Sequence, residues 1–320
     1  MLASAVVCTY NPDNYANLNE TIASLQEQTH PEIEIIIVVD GSEEVYRKVI
    51  ADYAEKGMIR PLLLTKNAGV CSARNAGIRA ARGEIVAFID DDAVANKDWI
   101  KSLLDIYRDY NAVAVGGKVL PVWFWEQPDY LPEEMFWLIG VTNGVLTGDK
   151  VVELRNVFGV NMSFRRAIFE DIGLFNEGLG FSKALVCLKQ AEEAEFGLRM
   201  KNKTGKGMYY SPDAIVYHKI TRSKMGLKSL LRRAFYQGYS KALLGKLSQS
   251  TAARATERSY LRSLLTKYIP RRLKNVYRFK EAKKLAFIAA VVISVFLGFA
   301  YGYMSPEQGR LTAAKIFSFF

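Results

Sequence analysis

Cysteine and histidine are scarce in this chain, and acidic residues nearly vanish from one long stretch. The 320 residues hold three cysteines, Cys8, Cys71 and Cys187, odd in number and far apart. No CxxC pair and no Cys/His zinc spacing occurs, which excludes a disulfide framework and a structural zinc and fits a reduced, cytosolic setting. The two histidines are His30, beside a proline in a loop, and His218. The chain opens directly on a strand pattern, without a signal-peptide pattern, and shows no internal repeat or low-complexity tract. Between Lys219 and Lys284 only Glu257 and Glu281 stand against 19 Lys and Arg, whereas residues 1–218 carry 30 Asp and Glu against 22 Lys and Arg. The net charge of +10 therefore describes an acidic domain followed by a basic stretch. That division argues against nucleic acid as the partner and for something local to the basic stretch.

A twenty-residue uncharged run, Leu285 to Met304, follows the basic stretch. At about 1.5 Å per residue it reaches about 30 Å, the thickness of a bilayer core. Lys280, Lys283 and Lys284 precede it, and Tyr301 and Tyr303 sit at its far end. The positive-inside rule then puts the preceding domain in the cytosol of a single-pass membrane protein. Within 225–284, Leu227, Leu230, Leu231, Ala234, Phe235 and Gly238 form a helical stripe, with Lys228, Arg232, Arg233 and Lys241 expected on another face. This is the pattern of a basic amphipathic helix on an anionic bilayer. The expected organisation is a catalytic domain over 1–220, membrane-surface helices over 221–284, a transmembrane helix over 285–304 and a short tail over 305–320.

The first 220 residues alternate buried-strand runs with helices, the rhythm of a Rossmann-like, mostly parallel α/β sheet. Leu2–Thr9 reads as a strand ending in Thr9-Tyr10-Asn11-Pro12, and Glu34–Val39 as a second ending in Asp40-Gly41-Ser42. Asp40 is either a ligand-loop carboxylate or part of a plain turn. After a third strand at Ile59–Thr65 comes Asn67 to Gly77, where Gly69 supplies a tight turn and Ser72 the cap of a helix that can receive phosphate, with Arg74 beside it. The apolar run Glu84–Ile89 then drives into Asp90-Asp91-Asp92. Three adjacent carboxylates at a strand end gain nothing from a core; they make sense beside a divalent cation and a phosphate-bearing ligand. Alternation puts Asp90 and Asp92 on one side, sharing a ligand, and Asp91 on the other.

These four strand-end loops, in this order and spacing, resemble the family-2 glycosyltransferases, inverting enzymes with the A-type nucleotide-diphospho-sugar fold. The resemblance spans about residues 3–220. It implies that Thr9 and Tyr10, within the Asn11 loop, border the base, that Asp40 binds the nucleobase, and that Arg74 lies near the pyrophosphate. It implies that Asp90 to Asp92 form the DxD-type motif, with Asp92 on Mg²⁺ or Mn²⁺, and that Asn161 in Phe158–Arg166 is near donor or acceptor. An acidic pair opens a helix at Gln190–Met200, and its second member, Glu193, is implied as general base. Glu192 is the reserve and Asp171 a weaker candidate, since the family more often has Asp at the base position. His218 is either a ligand of the metal or diphosphate or a rim histidine. The aromatic window 121–147, with Trp123, Trp125 and Trp137, is either a surface over the acceptor or ordinary packing.

The expected activity is metal-dependent transfer of a sugar, with inversion, from a UDP- or GDP-linked donor to an acceptor at the cytosolic membrane face. A lipid-linked glycan on a polyprenyl phosphate or diphosphate fits the tether best. The alternatives are a polysaccharide-chain synthase, a nucleotide-sugar-forming nucleotidyltransferase, and a non-enzymatic membrane-surface adaptor.

Overall fold

The computed structural model describes residues 1–142, 148–179, 191–247 and 255–304. Cys187, Gln190, residues 143–147 of the aromatic window and the 305–320 tail lie outside the described residues. The elements run β1 (Ala3–Thr9), α1 (Tyr15–Gln26), β2 (Ile33–Asp40), α2 (Glu43–Tyr53), β3 (Ile59–Leu64), α3 (Val70–Ala80), β4 (Ile85–Asp90), β5 (Ala93–Ala95), α4 (Trp99–Asp109) and β6 (Ala114–Trp123). They continue with β7 (Val152–Leu154), β8 (Asn161–Arg165), α5 (Ile168–Ile172), α6 (Glu192–Thr204), β9 (Met208–Ile220), α7 (Arg222–Met225), α8 (Leu227–Leu247), α9 (Ala255–Ser263), α10 (Ile269–Leu273) and α11 (Phe279–Met304).

The runs rich in Ile and Val form β1, β2 and β4, whose side chains are buried on both faces, as parallel strands covered by helices require. The sheet order is β3-β2-β1-β4-β8-β6-β9-β5, with β7 beside β9. From β3 to β4 every pairing is parallel. β8 then joins antiparallel to both β4 and β6, β6 and β9 are parallel, and β5 and β7 are antiparallel to β9. The sheet is thus mixed α/β, wholly parallel from β3 to β4 and mixed from β8 to β5. The chain leaves β1 for β2 on one side, and β4 lies on the other, so a crevice opens at the ends of β1 and β4. Register aligns Thr9 with Val39 and Cys8 with Asp90, which brings the strand-end loops side by side.

A separate apolar core joins the C-terminal helices to the sheet. Leu131, Met135, Phe136 and Ile139 pack with Ile220, Met225, Leu230 and Ala234, and with Phe287, Ile288 and Val291 of α11. Glu134, almost fully buried, accepts two bonds from Arg272 at 2.6 and 2.8 Å, and Arg272 also reaches Glu281 at 2.6 Å. This bidentate pairing satisfies the buried carboxylate and ties α10 to α11. The aromatic window divides. Trp123 stacks edge-on to Phe136, and Trp137 donates to Tyr260 at 3.0 Å. Phe124 and Trp125 stay exposed, with the Arg222 guanidinium over the Trp125 ring.

α11 is long and apolar enough to cross a membrane, by length and composition, and it begins six residues before the uncharged run. Its outer face exposes Ile293, Phe296 and Leu297, while its inner face lies along α8 through glycines. A Cβ at Gly298 would stand 1.9 Å from the Phe235 carbonyl oxygen, and one at Gly238 would stand 1.9 Å from that of Val295. Only a hydrogen fits in either place, so the two backbones touch. Gly298→Val is expected to force the helices apart, lowering stability by about 1–3 kcal/mol, the usual penalty of overpacking. Thermal unfolding in detergent checks this, with Gly57→Ala, which meets nothing within 4 Å, as the unchanged control.

Candidate active site

The strand-end loops, the start of α6, the end of β9 and the inner face of α8 enclose a cavity of about 930 Å³, near the upper end of the usual size of ligand pockets. Thr9, Tyr10, Asn11, Asp40, Gly69, Arg74, Asp90, Asp91, Asp92, Glu192, Glu193 and His218 all line it.

On the β1–β2 side, the side chains first brace the loops. Asn11 caps the short turn at Pro12–Asn14 through the Asp13 N–H, and Tyr10 is partly exposed at the rim. The Ala68 and Gly69 N–H groups donate to the two oxygens of Asp40 at 2.7 and 2.9 Å. Burial pushes the Asp40 carboxyl upward in pKa, against these two bonds. Gly69 holds the N-cap of α3 at φ +95°, a conformation open to glycine. This corrects the expectation for Ser72, which lies inside the helix and donates back to the Ala68 carbonyl.

The three aspartates point to three different partners. Asp91 accepts from the Thr9 hydroxyl at 2.6 Å, and burial, reinforced by the charge of Asp92, raises it to about 7. Asp90 is the most open of the three and faces Arg74 at 3.9 Å. Asp92 turns to the end of β9. There Ala93 pairs with His218 and the Lys219 N–H donates to the Asp92 carbonyl. His218 Nε2 consequently stands 3.3 Å from Asp92 Oδ1, and the Lys224 ammonium bonds Asp92 Oδ2. Burial alone would raise Asp92; His218 and Lys224 outweigh it and hold the carboxyl well below its usual range. Asp92 is therefore partnered by His218 and Lys224, while Asp90 faces Arg74.

Arg74 is buried, and its charge is already engaged. Nη1 bonds Glu192 Oε1 at 3.3 Å, the Phe175 ring lies 5.9 Å from the guanidinium carbon, and Glu193 and Asp90 complete its anionic surroundings. Glu192 is pinned twice, since its other oxygen accepts from the Ala191 N–H. Glu193 accepts a bond from the Gly159 N–H at 3.1 Å. Burial, then the charge of Glu192, raise Glu193 to about 8 against the pull of Arg74. Gly159 permits this arrangement: a Cβ there would sit 2.4 Å from Glu193 Oε1 and 2.5 Å from Arg74 Nη2.

Asn161 departs from expectation. It is fully buried, accepts from Trp99 Nε1 and donates to the Lys118 and Ala214 carbonyls. It ties four elements together and does not line the cavity. Asp171 lies exposed on α5, also outside the cavity. α8 brings Arg233, Gln237 and Lys241 to the cavity wall, so these two basic residues face inward instead of joining an outward membrane face. The sequence reading missed Lys224, Gly159 and this wall. Lys224 was hidden among the many basic residues after Lys219, and only its six-residue distance from His218 set it apart.

Asp92 and His218 suit a divalent cation: a carboxylate oxygen and an imidazole nitrogen, both largely buried, converge on a point held by a positive group. Among the described residues no group of three His, Cys, Asp or Glu side chains is placed to hold a metal.

A sheet of this order, with a carboxylate cluster at the crevice and an acidic pair across the cavity, defines an A-type glycosyltransferase. The sequence model of glycosyl transferase family 2 matches residues 4–173, and the chain belongs to that family. A glucosyl-dolichyl phosphate glucuronosyltransferase of Haloferax volcanii is 35% identical over 313 residues, covering 96% of this chain and 98% of that protein. The Pyrobaculum calidifontis mannosyltransferase PcManGT, solved with GDP-Man and Mn²⁺, superposes with a TM-score of 0.60 at 18% identity, over 99% of this chain and 78% of that one. S. aureus TarS 1–349 with UDP-GlcNAc gives 0.53 at 18% identity, over 97% and 93%.

Two substitutions separate site from scaffold. Gly159→Ala is expected to lower kcat at least about tenfold by displacing Glu193 and Arg74, with thermal stability nearly unchanged. Asn161→Leu is expected to lower stability by several kcal/mol, at about 1–3 kcal/mol for each buried partner left unsatisfied, while donor affinity stays within about twofold. Steady-state turnover, calorimetric donor titration and thermal melts together check both.

Proposed function

We propose that the protein transfers a sugar from a nucleotide-diphospho-sugar to a polyprenyl-phosphate-linked glycan at a membrane surface, inverting the anomeric centre in one displacement. The observation that carries this reading is the placing of Glu193, held by the Gly159 N–H in the cavity that also contains the Asp92–His218 pair, where burial and Glu192 raise its affinity for a proton.

The nucleoside enters over Thr9, Tyr10 and Asp40. Asp40 fixes the loop before α3 and keeps acceptor capacity for a base N–H. Asp92 and His218 would hold Mn²⁺ or Mg²⁺, and such an ion would offset the charge of the leaving diphosphate. Glu193 takes the proton from the acceptor hydroxyl as that oxygen attacks the anomeric carbon. Arg74 keeps Glu192 and Glu193 side by side and limits how far their repulsion raises the base. The lipid-linked acceptor is supported by full-length similarity to an enzyme named for a dolichyl phosphate substrate and by the apolar outer face of α11. In this reading α11 anchors the enzyme as a single pass, with the catalytic domain in the cytosol, and the inner wall of α8 borders the acceptor.

Glu193→Gln is expected to retain donor binding and lose at least about 10²-fold in kcat, the usual worth of a positioned base. Turnover of a panel of UDP- and GDP-sugars with Mn²⁺ and lipid-linked acceptor, beside donor titration, reads both; full activity would remove Glu193 as the base. The base form is the deprotonated one, so activity is lost as pH falls. Wild-type kcat/KM should drop about tenfold per pH unit below about 8 and level off above it.

A further inference from the structure

α7 follows β9 directly, and its Lys224 turns back into the cavity. The ammonium donates to Asp92 Oδ2 and stands 3.1 Å from His218 Nε2. An ammonium can only donate, so in the tautomer that carries the ring proton on Nδ1 the His218 Nε2 lone pair accepts from it. Nδ1 is buried and has no hydrogen-bond partner among the described residues. This tautomer presents to Lys224 the same nitrogen lone pair that a metal ion would use. The carboxylate oxygen and the imidazole lone pair therefore converge on one small cation, and in this state that cation is Lys224.

We propose that Lys224 is a resident internal cation of the Asp92–His218 pair, and that a divalent ion enters only by exchange with it. The inference rests on reading that pair as the cation site. Two positive centres cannot share one carboxylate oxygen and one lone pair, so the arriving ion expels the ammonium. A half-buried lysine expelled without a new anionic partner is left unpaired, which weakens binding of the ion alone. The diphosphate of the donor supplies that partner. Ion and nucleoside diphosphate therefore bind cooperatively, each favouring the state of Lys224 that the other needs. The anchoring of α7 fits a side-chain exchange over a backbone movement: Met225 is buried in the apolar core that joins the C-terminal helices to the sheet, and its carbonyl accepts from the Tyr130 hydroxyl at 2.8 Å.

The test is Mn²⁺ affinity of the full chain in detergent, read by electron paramagnetic resonance of free Mn²⁺, with and without UDP or GDP. Wild type is expected to bind Mn²⁺ alone weakly and at least tenfold more tightly with the nucleoside diphosphate. Lys224→Met is expected to bind Mn²⁺ alone at least tenfold more tightly than wild type, with the gain from nucleotide reduced. Lys224→Arg, which keeps the charge, should stay near wild type in weakness for the ion alone. A Lys224→Met protein that binds Mn²⁺ no more tightly than wild type, or more weakly, overturns the exchange while leaving the cation site intact. Wild type that binds no Mn²⁺ even with UDP or GDP overturns the exchange and the cation site together. Should Lys224→Met not fold, acetylation of wild-type Lys224, followed by mass spectrometry, reads the same event. Faster labelling in saturating Mn²⁺ supports the exchange, and an unchanged rate overturns it.

Discussion

The buried guanidinium of Arg74 is the interaction on which the site depends. Glu192, Glu193 and Asp90 surround it, and three carboxylates so close would repel one another without it. A buried cation is costly unless it is paired and hydrogen-bonded; here the anions resolve the cost of the cation and the cation that of the anions. The arrangement leaves the three acids unequal. Glu192 is pinned at both oxygens, Asp90 looks out at 3.9 Å, and Glu193 keeps a raised affinity for a proton. Unequal environments are what fit two neighbouring carboxylates for different tasks.

The sheet supplies this arrangement by register. β4 ends where β1 ends, so Asp91 meets Thr9. β5 pairs with β9 so that His218 lies beside Asp92. The antiparallel β8 follows the turn that carries Gly159 against Glu193. A missing Cβ at Gly159 permits that contact, just as missing Cβ atoms at Gly238 and Gly298 permit α8 to lie against α11. The second contact bears on the first site, because the opposite face of α8 is a wall of the cavity. The apolar helix is thereby joined to the catalytic domain through a packed core and a buried Arg272–Glu134 pair, instead of hanging from it as a separate anchor.

Much of this was legible in the residues. The strands β1, β2 and β4 announce themselves because burial on both faces demands unbroken apolar runs, and the acids at their ends stand out against that background. The family resemblance added the acidic pair of α6, which local pattern alone reads as an ordinary helix start. What stayed hidden depends on long-range pairing. β5 and β7 are three residues each, too short to carry a period, and exist because β9 offers them an edge. Asn161 was misjudged because an amide looks the same whether its partners are a ligand or Trp99 and two carbonyls. Ser72 is a good cap by type, but the tight turn needed positive φ and gave the position to Gly69. Lys228, Arg232, Arg233 and Lys241 were read as one outward face; the structure turns Arg233 and Lys241 inward, beside Lys224, and charge composition contains no information on that direction.

The central claim is a single displacement with Glu193 as base, and stereochemistry tests it most directly. Proton NMR of the anomeric centre, with an α-linked nucleotide sugar as donor and a lipid-linked glycan as acceptor, distinguishes the outcomes. The account predicts a β-linked product from the first turnover onward. An α-linked product would contradict it, since retention requires a second displacement or a front-face path that Glu193 as base does not provide.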